Sequence, residues 1–97
     1  MTEHEDDERL GPLPGGDGTP AIDFVTFVLS LSSTALIQLG EMDGPDGTAA
    51  DLAMARHTIE MLQILDEKTD GNLTGEEERV LHHVLDDLRA RYLKKVG

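Results

Sequence analysis

Cysteine is missing from this 97-residue chain, and so is tryptophan. Without cysteine there is no disulfide, no thiolate nucleophile and no cysteine-based zinc site. Small secreted domains usually rely on such staples, so a reducing, cytoplasmic setting is expected. Aromatic residues make up 3% of the chain, as Phe24, Phe27 and Tyr92. A core must therefore be aliphatic, built from Leu, Ile, Val, Met and Ala. Cations are scarce: 8 Lys and Arg face 20 Asp and Glu, for a formal charge of −12. That balance argues against a nucleic-acid or anionic-membrane surface, because both depend on clustered Lys and Arg. The acidic start also lacks the basic region that opens a signal peptide.

The length suits one small domain. Residues 1–21 are acidic and then rich in Gly and Pro, with almost nothing apolar to bury. Such a segment cannot offset its chain entropy, so a disordered tail is expected there. The domain is expected over 22–97 as an all-α unit: helices at about 23–39, 48–70 and 74–96.

The first of these, FVTFVLSLSSTALIQLG, holds no charged side chain, although 29% of the chain is charged. Asp23 can cap its start and Gly40 can end it. Sixteen residues make about 24 Å of helix, short of a hydrocarbon core of about 30 Å. Its flanks, Asp23 and Glu41, lack the Lys and Arg that anchor a span, so no membrane span is expected. Phe24, Phe27, Val28, Leu31, Ala35 and Leu39 form one apolar stripe, and Val25, Leu29, Leu36 and Ile37 a second.

The next helix is expected to start near Thr48, with Asp51 as its capping-box acid, and to stop at Gly71. Leu52, Ala55, Ile59 and Leu62 recur at helical spacing, and Met54, Met61 and Leu65 widen that stripe. Thr74 and Glu77 form a capping box for the third helix. Its inward stripe is Leu81, Val84, Leu85, Leu88 and Tyr92. Glu76, Glu77 and Glu78 stand in its first turn, and Lys94 and Lys95 near its end, each sign where the helix dipole favours it. The short link predicts an antiparallel two-helix hairpin with the first helix packed on it.

Three segments, FVLSLSSTALIQLGE, ARHTIEMLQILDEKTDGNLTGEEERVL and LDDLRARY, resemble a small bacterial helical family known only as domain of unknown function 1844. The resemblance runs over about residues 22–93, and KTDGNLTGEEE is its most specific part. It implies a helical, cytosolic protein and supplies no activity, cofactor or catalytic residue.

One segment can be laid on a twelve-residue calcium loop: Asp66 first, Asp70 fifth, Gly71 sixth and Glu77 twelfth, with Asn72 between. Against it, Lys68 puts a cation at the third position, Glu78 replaces an apolar residue, and no second loop pairs with it. The same letters also read as a helix stop at Gly71 and a capping box at Thr74. His57, His82 and His83 read as solvated surface residues, since adjacent helical side chains diverge by about 100°. Ser30, Ser32, Ser33 and Thr34 have no base nearby in sequence and read as packing residues, so no enzyme is expected.

The expected function is a non-enzymatic protein–protein interaction module, a small regulator or adaptor acting by helix packing, most simply as a homodimer with its own copy. One stripe of the first helix would pack on the hairpin. The other surface, Val25, Leu29, Ser32, Ser33, Leu36 and Ile37, would meet the partner. The alternative is a calcium- or metal-responsive protein using Asp66, Asp70, Asn72 and Glu77. No cofactor is expected.

Overall fold

The computed structural model describes residues 23–47 and 49–97. The tail expected to be disordered, residues 1–21, and the cap expected at Thr48 lie outside the described residues. Three α-helices follow in order: α1 (Phe24–Leu39), α2 (Leu52–Lys68) and α3 (Gly75–Val96), with a 3₁₀ turn at Pro45–Gly47 between α1 and α2. No strand occurs among the described residues. None of the three helices is long and apolar enough to cross a membrane.

The helix ends are set by local chemistry. Asp23 Oδ1 accepts the Thr26 N–H at 2.8 Å and starts α1. That backbone bond, aided by the Thr26 side chain, holds the Asp23 carboxyl below the usual carboxylate range. Gly40 ends the helix at φ +83°, and Glu41 N–H reaches back to Leu36 O at 2.8 Å. A Cβ on residue 40 would also stand 3.3 Å from the Ala50 Cβ, so both conformation and space call for glycine there.

α2 starts later than its sequence suggests. Asp51 is its N-cap, accepting from Met54 N–H at 3.1 Å. The Asp51 N–H is itself bound to Gln38 O at 2.7 Å, which pins the start of α2 to the end of α1. The α3 start is the reciprocal capping box: Thr74 Oγ1 accepts from Glu77 N–H, and Glu77 Oε1 accepts from Thr74 N–H.

Every helix pair is in contact. Cross-helix partners fix the directions. Asp66 meets His82, whereas Ile59 lines a hollow with Tyr92 and Leu93, so α2 and α3 run antiparallel. Glu41, just past α1, reaches Arg91 and Lys95 near the end of α3. α1 and α3 therefore end together.

The core is aliphatic, as the composition requires. Val28, Ala35 and Leu39 from α1 meet Ala55, Ile59 and Leu62 from α2 and Leu81, Val84, Leu85 and Leu88 from α3. Phe24, Leu31, Leu36, Leu65 and Tyr92 pack partly buried around it. Two expectations need correcting. Phe27 is exposed rather than part of the inward stripe, and Met54 and Met61 are exposed rather than widening the buried face of α2. The reason is angular. At about 100° per residue, Phe27 lies about 100° round from buried Val28, and Met54 and Met61 lie about 100° and 120° round from buried Ala55. Two neighbours in a three-helix bundle do not reach that far round.

Candidate interaction surface

α1 carries no ionisable side chain between Asp23 and Glu41, yet it is not sunk in the domain. Thr26, Phe27, Leu29, Ser30, Ser33 and Thr34 are all exposed. Of the six residues expected to form the contact surface, Leu29 and Ser33 are exposed. Val25, Ser32, Leu36 and Ile37 are half-buried, and Leu36 packs against the core. Measured round the helix from Val28, Val25, Leu29 and Leu36 lie on the flank towards α3, while Ser33 and Ile37 point outward.

The α3 flank is charged. Arg91 Nη1 donates to Glu41 Oε1 at 2.9 Å, Arg91 Nε donates to Asp87 Oδ2 at 2.9 Å, and Lys95 Nζ lies 3.3 Å from Glu41 Oε2. The hydrogen bond it donates to Asp87, then the negative charges of Asp87 and Glu41, raise the Arg91 guanidinium above its ordinary value. The α2 flank is different. There Thr58, almost wholly buried, donates its hydroxyl to Gln38 Oε1 at 2.6 Å, with Met54 O also within 3.2 Å. No buried side-chain polar atom among the described residues is left without a partner.

The loop expected as a calcium-site alternative is drawn into structural bonds. Asp66 Oδ1 lies 3.0 Å from His82 Nε2, and Glu77 serves the capping box. Asp70 and Asn72 are exposed, and Gly71 turns at φ +84°. Among the described residues no group of three or more His, Asp or Glu is gathered in a metal-binding arrangement. His82 thus reaches back to α2, while His57 and His83 are exposed. Ser30 O accepts the Thr34 hydroxyl at 3.2 Å, an ordinary helical back-bond.

A shallow hollow of about 330 Å³ lies between α2 and α3, lined by Arg56, Ile59, Glu60, Gln63, Arg89, Tyr92 and Leu93. Its charges are largely occupied. Arg56 Nε pairs with Glu60 at 3.2 Å, and Gln63, with its amide oriented to match, accepts both Nε and Nη2 of Arg89. Along α2 the apolar side chains Met54, Met61 and Ile64 are exposed; the sequence placed the two methionines in the buried stripe and did not single out Ile64. Their only signal was a stripe wider than one neighbouring helix can cover.

No curated protein and no solved structure matches the chain. The sequence model of one family does, over residues 21–94, which takes in all of α1 and α2 and α3 up to Lys94. The chain belongs to the family described as Domain of unknown function (DUF1844).

Proposed function

We propose that this protein is a non-enzymatic interaction module that binds by packing the outer face of α1 against another protein, its own copy first. The observation that carries the reading is that face itself: Thr26, Phe27, Leu29, Ser30, Ser33 and Thr34, exposed and uncharged, in a chain of net charge −12. An acidic protein stays dispersed by its charge, and an uncharged helix surface is where that repulsion is absent. The small hydroxyl residues let a second helix approach closely. The titratable groups around the face are spent on caps and on surface ion pairs, which supports binding over catalysis. A two-fold assembly is the simplest, since closed dimers are the commonest homo-oligomers.

Multi-angle light scattering during gel filtration tests this, with twice the chain mass expected. Ser33→Arg adds bulk and charge at an exposed position without touching the core, and should return the protein to a monomer of unchanged helicity. A wild-type protein that stays monomeric as its concentration is raised, with Ser33→Arg indistinguishable from it, would overturn self-association.

A further inference from the structure

We propose that the hollow between α2 and α3 is a binding site for a small amphipathic carboxylate, an unbranched apolar chain ending in one carboxyl group. The hollow is lined by α2 and α3 alone. The proposal therefore goes beyond the α1 contact above and does not depend on it.

Two arginines, one on each helix, line the hollow. Gln63 accepts from Arg89 Nε at 3.1 Å and from Nη2 at 2.9 Å. That partner is an amide, so the Arg89 guanidinium is held in place while its charge is not neutralised. A guanidinium has five N–H groups, and Gln63 takes two, which leaves Nη1 whole and one proton on Nη2. Arg56 is tied to Glu60 through Nε, at 3.2 Å, so both of its η nitrogens remain. Parallel N–H groups of this kind match the two oxygens of a carboxylate. Two cations against the one carboxylate of Glu60 leave the lining positive, in a chain of net charge −12.

The floor is apolar. Ile59 is 5% exposed, Tyr92 is half-buried, and Leu93 stands beside them. A second hollow shares Arg56, Glu60 and Tyr92 and runs on to Leu52, Ala53 and His57. From Gln63 back to Leu52 the trough follows α2 for about 16 Å. Its first part, about 330 Å³, falls within the range of ligand clefts, where apolar walls supply most of the contact and a few polar groups fix orientation. A long trough with Arg89 at one end suits a chain better than a compact body.

The surrounding charges set the direction in which that chain lies. Glu67 and Asp86 stand one turn beyond Gln63 and Arg89, both exposed, where α2 finishes and α3 begins. An apolar chain laid over them would strip their water, and an anion there would be repelled. At the other end Leu52 and Ala53 bring no charge, and Asp51 is engaged in capping Met54 N–H. The carboxylate therefore sits between Arg56 and Arg89, and its chain runs over Tyr92 towards Leu52. The remaining acids act at longer range, where salt screens them beyond about 8 Å.

Titration of the intact protein with decanoate, below its micelle concentration, provides the test. Tyr92 is the only tyrosine and there is no tryptophan, so intrinsic emission reports this hollow alone. The emission should change saturably. Amide nitrogen–proton shifts should move at Ile59, Gln63, Arg89 and Tyr92 and stay fixed from Thr26 to Thr34 on α1. Decanol, which keeps the chain and lacks the charge, should bind at least about tenfold more weakly, the worth of one charge-assisted pair. Arg89→Gln should weaken decanoate by a similar factor. Lys94→Gln removes the same charge from an exposed position outside the hollow and should leave binding unchanged. The absence of any shift, shifts confined to other faces, decanol bound as tightly as decanoate, or equal losses in the two variants would each overturn the proposal. None of these outcomes bears on self-association, which light scattering reads separately.

Discussion

Thr58 is the one buried polar side chain among the described residues, and its bond to Gln38 is the short polar tie between α1 and α2. Thr58→Val keeps the shape and removes the hydroxyl. The donor is lost, but half-buried Gln38 can turn to water, so the cost is that of one net hydrogen bond, about 0.5–1.5 kcal/mol. Thr58→Ala also deletes a buried methyl and should cost about 1 kcal/mol more. Gln38→Ala leaves the hydroxyl its second acceptor, Met54 O at 3.2 Å, so the buried group is not orphaned and the loss is smaller. The two positions share one bond and should not be additive: a double-mutant cycle should give a coupling of about 0.5–1 kcal/mol. For a domain of this size, about 1 kcal/mol moves the melting temperature by about 4–8 °C. Urea unfolding followed by helical circular dichroism, run on a monomeric background such as Ser33→Arg, measures all four corners. A Val variant as stable as its parent, or a cycle that closes to zero, would refute the idea that this bond helps set the α1–α2 register.

Thr74→Ala removes the acceptor for Glu77 N–H at the start of α3 and should cost about 1 kcal/mol in the same urea experiment. An unchanged midpoint would mean the box is ornamental. Asp66→Ala breaks an exposed contact to His82 and should lower stability by less than about 1 kcal/mol. Its melt should be the same in calcium and in chelator, as should the wild type's; a calcium-dependent rise in the wild type that Asp66→Ala abolishes would favour the metal-responsive alternative.

Much of this fold is legible along the chain because its determinants are local. Thr74 and Glu77 form their box within one helical turn, and Asp23 and Gly40 bracket a run without charge. Leu62, Leu81 and Leu88 fall on stripes whose spacing already marks them as inward. The resemblance over about residues 22–93 was legible for the same reason, being a property of linear order. Other choices needed the third dimension. Thr48 and Asp51 are both good caps in sequence, and Asp51 is the one bound to α1 through Gln38 O. Glu41 and Arg91 stand 50 residues apart, and nothing in their local patterns announces a pair. Periodicity could say that Met54, Met61 and Phe27 lean towards an apolar face, but not how wide a face the neighbours cover. The sequence by itself determined three helices, the starting caps of α1 and α3 and the centre of each buried stripe, since each depends on bonds or spacings within a few turns. Only the tertiary structure decided which apolar residues stay uncovered, because coverage depends on how far round each helix its neighbours reach.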